Sequence, residues 1–107
     1  MQPEPKLQID LPMDAIRAYC ERWKITEFAV FGSVLRDDFR PDSDIDVLVT
    51  FAPDAHWSLF DFIEAEEELQ EILGRDVDLV SRRAIERSLN YLRRKEILST
   101  TQVIYAA

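Results

Sequence analysis

Asp44 and Asp46 lie two positions apart at the start of an apolar run, and their type and spacing suit metal-assisted chemistry. Because side chains alternate along a strand, both carboxylates face one side of it while Ile45 and Val47 face the other. Two like charges this close are unfavourable unless a cation lies between them. Oxygen ligands with no Cys or His nearby favour Mg²⁺ or Mn²⁺, with phosphate oxygens as the remaining ligands. The pair therefore predicts a metal site that handles a phosphate group.

A third carboxylate, Asp78, lies between two apolar residues of a later predicted strand. If that strand is adjacent in the sheet, Asp44, Asp46 and Asp78 converge on one patch, as a two-metal phosphoryl or nucleotidyl transfer requires. In that arrangement Asp78 is the general base or a second-metal ligand. Asp76 shares the face of Asp78 and is the alternative, but it lies nearer the preceding turn, so we favour Asp78.

Gly32 and Ser33 come directly after a short apolar run and open a turn. The backbone N–H groups there can face an anion, and the missing Cβ of Gly32 lets a phosphate approach. Ser33 adds a hydroxyl donor. A Gly-Ser pair alone is common in turns, so this pair gains its weight from the aspartates that follow.

The spacing of Asp42, Asp44 and Asp46 is also that of a calcium-binding loop. Such a loop needs a glycine where this sequence has Val47, and a bidentate Glu where it has Pro53. The sequence therefore does not predict a calcium site.

Hydrophobic periodicity predicts the elements that position these residues. One amphipathic helix begins near Pro12 with Asp10 as its capping acid, and a second begins at a capping box opened by Ser58 and ends at Gly74. Ser81 caps a third helix. The remaining predicted elements are strands over 26–31, 45–51, 77–80 and 102–105 and a helical piece over 90–98. The order α-β-β-α-β-α-β predicts an α+β, sandwich-like fold, a small mixed β-sheet with helices packed on it.

The chain has 107 residues, a formal charge of −8, one cysteine and one histidine. This length suits one domain, which we place at 11–107 after a flexible leader at 1–10. We expect Cys20 in the core and His56 in an exposed loop, with neither a disulfide nor a Cys/His zinc site, which favours a reducing cytoplasm. The negative charge disfavours nucleic-acid binding, and no run approaches the ~20 apolar residues of a membrane span. We expect a cytoplasmic protein without nucleic-acid or membrane partners.

Several of these residues together resemble the signature of the DNA polymerase β-like nucleotidyltransferase superfamily. They are Gly32-Ser33, then ten residues, then Asp44-Ile45-Asp46, and later Val77-Asp78-Leu79. The segment 36–49 is close to that of the minimal, MNT-type members, and the resemblance runs from about residue 26 to residue 105. A nucleotidyltransferase core is the fold that this resemblance implies.

The resemblance also implies roles for individual residues. These are triphosphate binding by Gly32 and Ser33, metal binding by Asp44 and Asp46, and completion of the acidic triad by Asp78. Arg36 either contacts phosphate or braces its loop. The sequence departs from the family pattern beside this arginine, at Leu35 and Asp37, where a small residue and a glycine are usual.

MNT-type proteins are typically encoded beside a HEPN-domain protein, an α-helical ribonuclease toxin, and act as its antitoxin. The resemblance therefore implies transfer of AMP from ATP, with two Mg²⁺ ions, to a tyrosine of that toxin within a hetero-oligomeric complex. The short chain leaves no room for a separate acceptor domain, so we expect the partner to supply the acceptor. Two alternatives stay open: an antitoxin that blocks the toxin by binding alone, and a nucleotidyltransferase with a small-molecule acceptor.

Charged and aromatic residues outside the motif leave further choices open. The segment 61–71 carries six carboxylates and no basic residue, whereas 82–95 carries six basic residues. Each segment is either a solvated face or a docking surface. Trp57 and Phe60 either cover the nucleotide base or form a hydrophobic staple at a helix start. The basic side chains that follow the Asp78 strand either reach a phosphate or pair with the acidic segment.

Overall fold

The computed structural model describes residues 11–32, 44–87, 90, 92, 95, 97 and 99–107. The helices and strands with defined bounds are α1 (Met13–Arg22), β1 (Ile25–Phe31), β2 (Ile45–Phe51), α2 (Leu59–Leu73), β3 (Val77–Ser81), α3 (Arg82–Glu86) and β4 (Gln102–Ala106). Their order is the predicted one, and every strand boundary lies within one residue of the prediction. Of the helical piece predicted over 90–98, positions 92, 95 and 97 are helical, Asn90 is not, and the rest lie outside the described residues.

The sheet has four strands in the order β3-β2-β1-β4. β1 pairs with both β2 and β4 in antiparallel fashion, whereas β2 and β3 are parallel. A parallel pair needs a crossover connection, and α2 provides it. The prediction of an α+β fold with a small mixed sheet is therefore confirmed.

Capping residues fix both ends of α2. The Ser58 side chain accepts a hydrogen bond from the Asp61 backbone N–H at 3.1 Å, and the Asp61 carboxylate accepts one from the Ser58 N–H at 2.9 Å. Gly74 ends the helix in the left-handed conformation, with a φ of 69°. The predicted capping box and helix stop are confirmed.

The start of α1 differs in detail from the prediction. Pro12 is the N-cap residue itself, with no side-chain capping bond, so it precedes the first turn rather than lying in it. Asp10, the expected capping acid, lies outside the described residues. No helix in the described part of the chain is both long and apolar enough to cross a membrane.

The sheet's first face, which includes Ile45, Val47 and Val49 of β2, carries the larger core. It packs against α1 and α2, whose buried residues are Ile16, Tyr19, Cys20, Ala65 and Leu69. Val77 and Leu79 of β3 belong to the same cluster. Hydrophobic burial on this face, at about 25 cal/mol per Å² of apolar surface, supplies most of the folding free energy.

The second face carries a smaller cluster. Its buried members are Ala29, Phe31, Leu48, Ile85 and Ile97, with Val80 packed against them. Because strand side chains alternate, the charged residues that interrupt β2 and β3 point to this less covered face. A carboxylate there keeps contact with water, which a place in the larger core would deny it.

Tyr19 and Cys20 are fully buried polar-tipped side chains of α1. The Tyr19 hydroxyl donates to the Ala65 carbonyl at 3.0 Å, which ties α1 to α2. Burial, reinforced by the charge of Glu21, raises the pKa of the Cys20 thiol from its ordinary 9.0 to about 12. The expectation that Cys20 belongs to the core is confirmed.

The raised pKa of Cys20 predicts a loss of stability in alkali. Above pH 9 the unfolded thiol releases its proton while the folded one keeps it, so the free energy of unfolding falls as pH rises toward 12. Cys20→Ala should flatten this fall by up to about 1.4 kcal/mol per pH unit. Urea unfolding of both proteins between pH 7.5 and 10.5 tests this. If the unfolding free energies of the two proteins change with pH in parallel across that range, the prediction is contradicted.

Candidate active site

The predicted site residues that the structure describes lie at one edge of the sheet. β2 and β3 both begin at this edge, and antiparallel β1 ends there. Gly32 follows the last residue of β1, Asp44 precedes the first residue of β2, and Asp46 and Asp78 lie at the second position of their strands. The fold therefore brings together residues from three separate segments.

Asp46 and Asp78 are direct partners in the parallel β2–β3 register. Partners on neighbouring strands lie about 5 Å apart and point to the same face. The residues directly before and after each aspartate in its strand point into the larger core. Because side chains alternate, both carboxylates lie on the second face. On the other side of Asp46, its partner is Phe31 of β1. The prediction depended on adjacent strands, and that condition is met.

Gly32 lies directly against the Asp46 carboxylate. Its φ is +78°, a conformation that residues with a Cβ rarely adopt. A Cβ built on Gly32 would overlap Oδ2 of Asp46 and lie 3.3 Å from its Cγ. Glycine is therefore required here twice, once for the backbone turn and once for the space beside the carboxylate.

Asp44 and Asp76 lie just before their strands and are both exposed. The backbone carbonyl of Asp76 accepts a hydrogen bond from the Ile45 N–H at 3.0 Å, which holds the segment before β3 against the start of β2. Asp78 is the register partner of Asp46, whereas Asp76 is not. The register therefore favours Asp78 over Asp76 as the third carboxylate of the site.

The metal site itself stays a prediction. Across the described ranges, no group of three or more His, Cys, Asp and Glu side chains is arranged so that it could hold a metal ion. Ser33 and Arg36, predicted to contact phosphate, lie outside the described residues, as do Leu35 and Asp37. The pair of Asp46 and Asp78, with Gly32 packed against the Asp46 carboxylate, is the part of the site that the geometry carries.

A separate cleft of about 710 Å³ opens at the other end of β2 and β3. Sequence reasoning missed it because its walls come from three distant segments, 49–57, Phe62 and 81–86, which no motif links. The Arg82 guanidinium pairs there with Glu27 at 3.3 Å and Glu86 at 3.1 Å. Both carboxylates lie outside the acidic segment 61–71. Arg82 therefore does not form the ion pair with that segment that was one of the two expectations for the basic residues after β3.

Trp57 also lines this cleft, and its indole N–H donates to the Trp23 carbonyl at 2.9 Å. The cleft lies at the opposite end of the strands from the aspartates, which argues against Trp57 as a cover for a nucleotide bound beside them. His56 is exposed, as expected.

Comparison with known proteins identifies the class to which this fold and site belong. Residues 13–104 match a family model described as a nucleotidyltransferase domain. The chain belongs to the nucleotidyltransferase family. The resemblance to its minimal, MNT-type members is confirmed by the following relatives.

The curated protein adenylyltransferase MntA of Thermococcus cleftensis is 45% identical over 65 residues, which are 61% of this chain. The chain spans about 64% of the length of that relative. A solved structure described as a candidate minimal nucleotidyltransferase matches at a TM-score of 0.65 and 32% identity, over 89% of this chain and 96% of that one.

A third relative is a chain from a solved complex of the tri-AMPylated HEPN toxin of Shewanella oneidensis with MNT antitoxin. Its TM-score is 0.60 at 22% identity, and the match covers 88% of this chain and 69% of that one. At this identity the likeness concerns the fold.

The contact between Gly32 and Asp46 predicts unequal effects at two glycines that share a positive φ. Gly74 has nothing within 4 Å of the position a Cβ would take, so Gly74→Ala should cost only the left-handed backbone strain, about 1–2 kcal/mol. Gly32→Ala should cost at least about 1 kcal/mol more, because the new methyl group displaces the Asp46 carboxylate.

Urea unfolding of both variants measures this difference. In an Asp46→Ala background the carboxylate is absent, and the excess cost of Gly32→Ala should disappear. An excess that persists there would assign the cost to the backbone alone.

Proposed function

We propose that this protein is the antitoxin of a toxin–antitoxin pair, a cytoplasmic enzyme that transfers AMP from ATP to a tyrosine of a HEPN ribonuclease toxin. Three facts support the proposal: the family, the curated adenylyltransferase relative, and the fold shared with a chain from a complex that contains an AMPylated HEPN toxin. The observation that carries it is the in-register pair of Asp46 and Asp78 beside Gly32.

The reaction is a displacement at phosphorus. The tyrosine oxygen forms a bond to the α-phosphorus of ATP, and the bond from that phosphorus to the bridging oxygen breaks, so that pyrophosphate leaves. The tyrosine proton passes to a carboxylate, a role that we assign to Asp78 because it is the register partner of Asp46. Gly32 makes room for the Asp46 carboxylate, and we assign phosphate binding to the backbone N–H groups at Gly32 and Ser33.

Asp44, Asp46 and Asp78 are the residues proposed to hold Mg²⁺, with two ions in the complete site. The donor set fits, because carboxylate and phosphate oxygens are the ligands that this hard cation prefers. Bound there, Mg²⁺ would neutralise charge on the triphosphate and lower the pKa of the attacking hydroxyl. Arg36 is proposed to add positive charge near the phosphates.

Replacement of the two aspartates at the start of β2 tests the proposed transfer reaction. Asp44→Asn with Asp46→Asn should lower AMP transfer at least about 100-fold, because the metal loses two proposed ligands and the triphosphate loses the cation that would neutralise it. The measurement is the intact mass of a HEPN-domain protein, taken from the neighbouring gene if it encodes one, after incubation with ATP and Mg²⁺. The matched control is Glu21→Gln with Asp54→Asn, which changes the charge equally at two exposed positions, one just before β1 begins and one just after β2 ends, at the opposite end of the strands.

The outcomes of this experiment separate the alternatives. A mass gain in steps of one AMP, lost only in the site variant, would establish the transferase. An unmodified but silenced toxin would instead indicate an antitoxin that acts by binding. AMP transferred only to a small hydroxyl compound would favour the small-molecule acceptor.

Asp78 and Asp76 form a second matched pair. Asp78→Asn should slow transfer at least about 100-fold, as expected for loss of a general base or metal ligand. Asp76→Asn should leave the rate near the wild-type value, because its side chain lies outside the register with Asp46. Single-turnover rates at saturating ATP measure both. If Asp76→Asn loses more of the transfer rate than Asp78→Asn, the role proposed for Asp78 belongs to Asp76.

A further inference from the structure

The acidic residues of α2 fall into two sets with different surroundings. Glu68 accepts from the Trp23 indole N–H at 2.7 Å and pairs with Arg22 at 2.8 Å, while Glu66 accepts from the Leu79 N–H at 3.1 Å. Asp61 closes the capping box. These three carboxylates are therefore explained by the fold.

The other three carboxylates are Glu64, Glu67 and Glu71, and they are exposed. Within the described residues none of them has a hydrogen-bond or ion-pair partner. Their spacing places like charges three and four residues apart, which weakens a helix, and Glu71 lies near the negative end of the helix dipole. Folding gains nothing from this arrangement.

Two of the most exposed large apolar side chains of the described chain lie on the same helix. Phe60 is 82% exposed and Leu59 73%, and Ile63 is 44% exposed. The capping box constrains Ser58 and Asp61 but makes no demand on the two residues between them. Trp57 precedes the cap and Phe62 is the fourth helical position, so these two, not Phe60, hold the positions of a hydrophobic staple. The staple interpretation of Phe60 is wrong.

The unexplained acids and the exposed apolar residues share one helix face. At 100° per residue, Phe60, Ile63, Glu64, Glu67 and Glu71 fall within an arc of about 100°, opposite the buried Ala65 and Leu69. We call these five residues the outer face of α2. It runs about 17 Å, from an apolar end at Phe60 to an acidic end at Glu71.

We propose that the outer face of α2 is the surface on which the HEPN toxin docks, a proposal that rests on the proposed function. The complementary partner surface has an apolar pocket for Phe60 and Ile63 and a row of Lys or Arg opposite the three carboxylates. An exposed aromatic anchor beside a charged rim is the usual composition of a protein interface. A chain of charge −8 repels its own copies, which favours a basic partner over a second copy.

The direction of α2 gives the docked toxin an orientation. The acidic end of the outer face leads through Gly74 and Asp76 to the start of β3, where Asp78 lies. The apolar end lies toward the other end of the strands, because the crossover helix runs back along them. The outer face points away from the sheet on the side of the larger core, whereas Asp46 and Asp78 lie on the second face. A toxin anchored at Phe60 therefore reaches the carboxylates only by extending along the acids, past Gly74 and around the end of the sheet.

Binding of the same HEPN-domain protein, measured by surface plasmon resonance without ATP, tests the proposal. Phe60→Ser should weaken affinity by about 30-fold or more, as loss of an interface anchor does. Glu67→Lys should slow association and reduce its dependence on salt. Glu21→Lys, on an exposed position of α1, is the matched charge control and should bind as the wild type does. Circular dichroism confirms the fold of each variant.

Each outcome decides the proposal. Wild-type affinity in both Phe60→Ser and Glu67→Lys, with AMP transfer intact, would overturn the docking surface and leave the proposed function standing. A wild-type chain that neither binds nor modifies the toxin would overturn both. A wild-type dimer that Phe60→Ser makes monomeric, with unchanged toxin affinity, would assign the face to self-association and overturn the docking surface.

Discussion

The parallel pairing of β2 with β3 is the constraint on which the rest of the structure depends. It places Asp46 beside Asp78 and sends the residues on either side of each into the larger core. A slip of β3 by one residue would turn Asp78 into that core and expose Val77 and Leu79, so the register that buries the core also holds the carboxylates together. Parallel pairing requires the crossover helix α2, and the helix in turn supplies the outer face.

Much of the fold could be predicted from the sequence because its local signals agree. Ser58, Asp61 and Gly74 bound a helix by capping chemistry, and the apolar runs of β1 and β2 have one plausible secondary structure each. The strand order could not be derived from residue periodicity, because periodicity says which face a side chain occupies and not which strand lies beside it. The adjacency of Asp46 and Asp78 was therefore a condition of the site prediction rather than its result.

The candidate site was predictable in its carboxylates and not in its surroundings. Asp46 stands out because a charge inside an apolar strand has few structural uses, and Gly32 because it ends the preceding strand. The fit of Gly32 against the Asp46 carboxylate depends on the antiparallel pairing of β1 with β2, which brings together residues fourteen positions apart. Helical periodicity separates Glu67 from the buried side of α2, but the partners of Glu66 and Glu68, Leu79 and Trp23, come from distant segments that no local pattern indicates.

The crossover between β2 and β3 also sets when the candidate site can form during synthesis. Asp78 emerges from the ribosome thirty-two residues after Asp46, and the two meet only when α2 has folded and β3 has joined the sheet. Such a non-local contact requires a long loop to close and forms late in folding. A nascent or truncated chain that ends just after α2 therefore contains every residue of the outer face but only half of the acidic pair, so the proposed docking surface is complete along the polypeptide before the proposed site is.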